Sequence, residues 1–233
     1  DNYKDAGISK EDIFHYVYAV LHNPAYRAKY AIDLKRDYPR VPLYKDFAQW
    51  AAWGRRLMEI HIEFEAQPEA SGLGLFPGDG VTRKNHAAEY NKDADGHRIY
   101  TGTVRFCDGS LLSGIPPMAF DYRLGNKSAI EWVLDQYSER HWPTDAEITA
   151  GKAKPLREDE KVLRDKFNAY RFVDYKDYVV SLIKRLVTIS LETLEVQEKM
   201  GKAEDHGVDL RETYEKASAF EEGAGEGEEA AER

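Results

Sequence analysis

The chain has 233 residues, 42% of them hydrophobic, a net charge of −9 and one cysteine. That size allows one large domain or two small ones, each with a real core. Cys107 alone excludes an internal disulfide and any multi-cysteine metal site, and no apolar run reaches membrane-span length or forms a signal peptide. A cytoplasmic setting and no membrane partner are expected. The opening Asp1, rather than Met, suggests processing or a longer parent chain.

Ser9 reads as an N-cap with Asp12 three residues on, and Ile13, Val17, Val20 and Leu21 follow as an apolar stripe. The pattern predicts a helix over Lys10 to His22. Asn23-Pro24 punctuates it and starts a second helix. That helix is expected to run to about Tyr38, where Pro39 and Pro42 force an extended exit. A third helix, near Lys45 to Glu65, carries Phe47, Trp50, Ala51, Trp53, Leu57, Ile60 and Phe64 at helical spacing.

The middle changes character. Ala70 to Gly80 reads as a Gly-rich loop and Tyr90 to Gly96 as a polar turn. Arg98 to Phe106 alternates as a strand. Asp108-Gly109 is a hairpin signal leading to Leu111-Leu112. After the rigid Ile115-Pro116-Pro117 step, Ser128 caps a helix through Tyr137, with Glu131 in the capping-box position. Ser138 to Glu160 reads as polar and broken by Pro143 and Pro155. From near Asp174, Tyr175, Val179, Leu182, Leu186 and Ile189 recur at four and three spacing, then Val196 and Met200. That predicts a long helix with a coiled-coil-like seam, closed by Gly201. The Glu, Gly and Ala of the last dozen residues are expected to be disordered.

These elements predict an α+β fold, with helical N-terminal and C-terminal parts around a small antiparallel β region. Five segments are expected: 1–66 helical, 67–137 with the β region and a helix, 138–170 variable loop, 171–203 the long helix, and 204–233 a polar, acidic tail.

Several motifs imitate chemistry. Asn23-Pro24-Ala25-Tyr26 imitates the NPPY loop that stacks a flipped adenine in methyltransferases. It sits between two helices without a Gly-rich cofactor turn, so it reads as a helix cap with Tyr26 in the core. Asn91-x-Asp93-x-Asp95-Gly96 imitates a calcium loop, but its twelfth position is Gly102 instead of Glu. It reads as a solvated turn. His61, Glu63 and Glu65 lie two apart and would point to different faces of a helix. His86 and His97 have no partner at ligand spacing. No metal site and no catalytic residue is assigned.

The stretch Asp121 to Ser128 is the best functional candidate. Gly125-Asn126 permits left-handed backbone before a helix start whose free amides can seat a phosphate. Arg123 and Lys127 flank it, Asn126 has a base-reading amide, and Ser128 begins the helix. The alternative is a tight turn that merely caps the helix, with Arg123 paired to Asp121 or Glu131. Lys35, Arg36, Arg40 and Lys45 form a basic cluster that equally answers a helix dipole. Arg55-Arg56 and Arg83-Lys84 are further basic pairs. Arg98 and Arg105 lie on a β-ribbon, a shape that fits the major groove.

Four stretches carry a family resemblance: ISKEDIFHYVYAVLHNPAYRAKYAIDLKRDYPRVP (Ile8 to Pro42), FAQWAAWGRRLMEIHIEFE (Phe47 to Glu65), SGIPPMAFDYRLGNKSAIEWVLDQY (Ser113 to Tyr137) and RFVDYKDYVVSLIKRLVTISLETLEV (Arg171 to Val196). Together they resemble the C-terminal specificity, or target-recognition, region of Type ISP restriction-modification enzymes. Those proteins join a nuclease, an ATP-driven translocase, an adenine methyltransferase and a recognition domain in one chain. Ala70 to Tyr100 and Ser138 to Lys166 match no pattern of the family. Where the family has a basic linker this chain has ERHWPTDAEITAGKAK.

The resemblance implies recognition of a short, asymmetric sequence in double-stranded DNA. It implies upstream methyltransferase and helicase domains of the same parent chain as partners. ATP, Mg and S-adenosylmethionine would be cofactors of the parent, with none in this part. The charge pulls the other way, since DNA-binding surfaces are usually basic. Glu221 to Arg233 accounts for −5 of it, and the rest is still −4. Weak, salt-sensitive binding is therefore expected. A structural or protein-interaction module docking through its helices is the alternative reading, and a standalone enzyme lacks any complete site.

Overall fold

The structure is a computed structural model that describes residues 7–83, 85–138, 143–166 and 172–203. It is α+β, and the chain divides into two compact units, one from Asp1–Glu63 with Thr193–Arg233, the other from Phe64–Glu192. The expected acidic tail falls outside the described residues.

In the first unit, α1 spans Lys10–His22, α2 Pro24–Lys29 and α3 Phe47–Ile62. Ser9 and Asp12 form the expected capping box, and Asp46 caps α3 by accepting from the Gln49 amide at 3.0 Å. α1 and α3 pack closely because Gly54 has no side chain. A Cβ there would lie 1.7 Å from the His15 carbonyl oxygen. Tyr16, Ala19, Val20, Trp50, Leu57 and Ile60 are buried in this unit. The Tyr16 hydroxyl donates to the Pro42 carbonyl (2.6 Å) and accepts from the Tyr44 amide (2.7 Å), which fixes the extended approach to α3.

α2 is shorter than expected. It ends at Lys29, and only a 3-10 turn over Asp33–Lys35 follows. No Gly or Pro marks this stop. The Tyr26 hydroxyl donates to the Arg40 carbonyl at 2.9 Å, and that bond holds the chain back against α2, overriding helix propensity.

The second unit is built on a four-stranded antiparallel sheet in the order β1-β4-β3-β2: β1 Gly74–Phe76, β2 Ala87–Lys92, β3 Arg98–Arg105 and β4 Leu111–Ser113. The β3–β4 hairpin turns at Asp108-Gly109 as expected, with Gly109 at φ 85. β1 lies in the stretch read as loop. β2 takes in Tyr90–Lys92, read as turn, because polar residues on an edge strand face solvent and hide the alternation.

Tyr100, Val104 and Leu112 pack with Phe120, Ile130 and Leu134 in one core. Gly102 has φ 79, and a Cβ there would lie 2.2 Å from the Ile115 oxygen. The rigid Ile115-Pro116-Pro117 step can therefore lie against β3, with the Ile115 amide donating to the Gly102 carbonyl at 3.0 Å. β5 (Arg123–Leu124) and β6 (Lys127–Ser128) then form a small hairpin leading into α4, Ala129–Gln136.

Two helices lie in the 138–170 segment read as variable loop: α5 at Asp145–Thr149 and α6 at Glu158–Lys166. The capping box of Thr144 and Glu147 was the overlooked signal. α7 runs Phe172–Lys202, past Gly201, and supplies residues to both units. It is not a single seam. Tyr175 is half-exposed, whereas Val180, Ile183 and Val187 are buried beside Val179 and Leu182, giving a broad apolar stripe.

Candidate nucleic-acid interface

The Asp121 to Ser128 turn is a hairpin whose registered pairs are Arg123 with Ser128 and Leu124 with Lys127. Gly125, at φ 72, makes it possible. Arg123, Leu124, Gly125 and Asn126 are exposed. The Arg123 guanidinium donates to the Asn126 carbonyl, so it pins the turn instead of pairing with Asp121 or Glu131. Lys127 pairs with Asp135 on α4 and lies 6.0 Å from the centre of the Trp132 ring. Such exposed pairs are worth ~0–1 kcal/mol, so both cations can be drawn to a stronger anion.

Two expectations for this turn are corrected. Ser128 is fully buried, and its hydroxyl accepts from the Glu131 amide at 3.2 Å, so it cannot face a macromolecule. The helix start is no open phosphate seat either. The Ala129 amide donates to the Tyr122 carbonyl (3.0 Å), and the Glu131 carboxylate takes the Ser128 amide (2.9 Å). The helix N-terminus already holds an anion of its own chain.

Arg98 and Arg105 are not displayed as a pair on one ribbon face. They are seven residues apart on β3, which puts them on opposite faces. Arg98 meets Glu131 at 3.2 Å and lies over the Tyr90 ring, 4.5 Å from its centre. Arg105 is bound to Glu89 and reaches Asp79 at 3.6 Å. Asp79 also accepts from Arg83, which holds its carboxyl far below the usual range.

The first unit differs. Lys35, Arg36, Arg40 and Lys45 are all exposed. Lys35, Arg36 and Arg40 have no ion-pair partner among the described residues. Arg27 and Lys29, at the end of α2, are exposed as well. Sequence reasoning placed both on one helix running to Tyr38 and singled out only the basic cluster at its end. Tyr38 stands out at 95% exposed.

The remaining motifs settle as structure. Asn23 is buried, accepts from the Ala25 amide (3.0 Å) and donates to the Tyr44 hydroxyl (3.0 Å), while Tyr26 is buried beneath it. NPAY is a helix cap. His86 accepts the Cys107 amide on Nδ1 (3.0 Å) and donates from Nε2 to the Tyr137 carbonyl (2.8 Å), edge-on to the stacked rings of Phe106 and Phe172. His61 bonds the Tyr18 hydroxyl (2.8 Å) and the Thr193 hydroxyl (3.0 Å).

Asp93, Asp95 and His97 do come together in the β2–β3 turn, their ligand atoms within 4.8 Å of one another; the calcium-loop-like spacing marks the two aspartates but not His97. The Asp93 carboxylate there accepts the Asp95 and His97 amides at 2.9 and 2.8 Å, and all three residues are exposed. No described helix is long and apolar enough to cross a membrane.

Comparison with known proteins gives these features a context. A family model described as the Type ISP C-terminal specificity domain matches residues 1–182. A cryo-EM structure of a DrdV–DNA complex is similar with a TM-score of 0.66 and 41% identity, over 85% of this chain and 18% of that one. A nuclease-deletion mutant of the Type ISP restriction-modification enzyme LlaGI, in complex with a DNA substrate mimic, gives 0.58 and 26%, over 86% and 14%. The ATP-dependent Type ISP enzyme LlaBIII bound to DNA gives 0.58 and 21%, over 83% and 11%, a likeness of fold. The chain thus spans less than a fifth of each. No curated protein matches it.

Proposed function

We propose that this chain, which belongs to the Type ISP C-terminal specificity domain family, recognises a short DNA sequence for a restriction-modification enzyme. The reading rests on the 41% identity, over 85% of the chain, to part of a DrdV–DNA complex. Duplex DNA is one partner. The others are the methyltransferase and helicase modules of a parent chain, which this part positions and licenses. The parent is an ATP-dependent restriction endonuclease and N6-adenine methyltransferase of the cytoplasm. ATP, Mg and S-adenosylmethionine serve those modules, and this chain contributes recognition without chemistry of its own.

Within the second unit, Arg123, Asn126 and Lys127 are the DNA contacts that the geometry favours. Their turn is exposed, and the bonds that hold its two cations are exchangeable. Asn126 has an amide that can donate and accept at a base edge. Arg98 and Arg105 are held by carboxylates, and Lys45 remains a phosphate candidate. Binding of the purified chain to duplex DNA, followed by fluorescence anisotropy from low salt upward, tests the reading. It predicts saturable binding that weakens steeply with salt; no binding at any salt concentration contradicts it.

A further inference from the structure

We infer that the exposed segment from Arg27 to Arg40 is a sequence-blind phosphate grip, so that affinity and specificity are divided between the two units. The inference rests on the DNA-recognition reading and adds where its affinity comes from.

The argument begins from a shortage. The chain carries −9, so duplex DNA is repelled unless cations are concentrated locally and uncommitted. Counterion release drives such binding, and a cation that must first leave a carboxylate gains less from a phosphate. The second unit offers few free cations near its candidate turn and ribbon. Arg98, Arg105 and Lys127 each meet a carboxylate, and Arg123 meets a carbonyl.

The segment from Arg27 to Arg40 is the reverse case. It holds five Lys and Arg against two Asp. None of the five is in an ion pair among the described residues, and all five are exposed. Lys29 rests only over the Tyr30 ring, 5.1 Å from its centre. The two acids leave the segment a net charge of +3. Asp33 and Asp37 line a hollow with Tyr26, Tyr30 and Arg40, and Arg27, Lys29, Lys35 and Arg36 are not part of that lining.

The segment is also held in shape. α2 is capped by Asn23, and the Tyr26 hydroxyl ties the far end through the Arg40 carbonyl. Tyr38, 95% exposed, falls in the sequence between Lys35-Arg36 and Arg40 and supplies an uncharged hydrogen-bonding group to the sugar-phosphate chain, a common tyrosine role. As part of the inference, these cations act on phosphates and not on base edges, so the grip holds any sequence.

A mixed-sequence fluorescent duplex is the probe, titrated with the 233-residue chain at several salt concentrations. Three proteins are compared: wild type, the triple variant Lys35→Gln, Arg36→Gln, Arg40→Gln, and a control of equal charge change at exposed positions elsewhere, Lys10→Gln, Lys152→Gln, Lys154→Gln. The slope of log K against log salt should become shallower in the triple variant by about 0.9 for each phosphate that is no longer neutralised. The control should keep most of the wild-type slope. The single variants K35Q and R36Q should each remove about one such step, which secures the result should the triple variant fold poorly. Tyr38→Ala should weaken binding at every salt concentration with the slope unchanged.

A triple variant with the wild-type slope overturns the inference and leaves the DNA reading standing. So does a control whose slope falls as far as that of the triple variant, because charge in general would then be the cause. A wild-type chain that binds no duplex even at low salt overturns the DNA reading, and the grip falls with it.

Discussion

Arg98 on β3 and Glu131 on α4, 33 positions apart, are joined at 3.2 Å, and the same carboxylate closes the α4 capping box. It also accepts from the Tyr100 hydroxyl at 2.9 Å. One side chain thus ties the helix start to the central strand. Arg98, a candidate DNA contact, thereby also supports the turn that precedes α4.

Glu131→Gln should therefore destabilise the second unit by about 1–2 kcal/mol, through weakened capping and the removal of charge-assisted bonds. Burial alone would raise this carboxyl, but the donors from Ser128, Tyr100 and Arg98 outweigh it and hold it below 4.5. Its contribution is fully present above that value and disappears as pH falls through the lowered one. Denaturant unfolding at neutral pH and in acid measures both effects. The variant should lose part of the acid sensitivity of the wild type.

His61 makes the first unit acid-sensitive in a different window. Burial, with His22 nearby, lowers it from 6.5 to about 4. The unfolded chain takes up the proton first, so stability declines as pH falls from about 6.5 to about 4. Unfolding midpoints of wild type and His61→Gln across that range check the sign. The variant should be less stable at neutral pH and flatter below it.

Asn23 should behave as a cap, not as a catalytic residue. Asn23→Ala is expected to cost about 1–2 kcal/mol, since it removes a helix cap and a buried hydrogen bond to the Tyr44 hydroxyl. The wild-type chain, incubated with DNA and a labelled methyl donor, should transfer no label. Label transfer that Asn23→Ala abolishes would reverse this assignment.

Arg123→Ala and Lys127→Ala should each weaken DNA binding while shifting the melting temperature little, because their protein partners are exposed. Removing a phosphate contact lowers affinity evenly across sequences. Removing a base contact relaxes one position and costs ~1–3 kcal/mol. If Arg123→Ala unfolds the chain without a separate binding defect, its hold on the Asn126 carbonyl is its whole role.

Local chemistry made much of this fold legible in the sequence. Ser9 with Asp12 and Ser128 with Glu131 announced two capping boxes, and Asp108-Gly109 announced the hairpin. What stayed hidden was decided by distant partners. The end of α2 follows from Tyr26 reaching the Arg40 carbonyl, and β1 is paired only through β4. The candidate DNA-binding residues show the same division. Types and positions of Arg98, Arg105 and Lys127 were readable, but Glu131, Glu89 and Asp135, which bind them, come together only in three dimensions. Ser128 was readable as a cap, and its burial ruled it out as a DNA contact.

The most direct test of the central claim is selection from a random duplex library with the purified chain at low salt, followed by sequencing of the bound DNA. The account predicts enrichment of one short, asymmetric motif, and disappearance or relaxation of a position within it on Asn126→Ala. Binding that enriches no sequence over successive rounds would contradict it, leaving this chain able to hold DNA but not to read it.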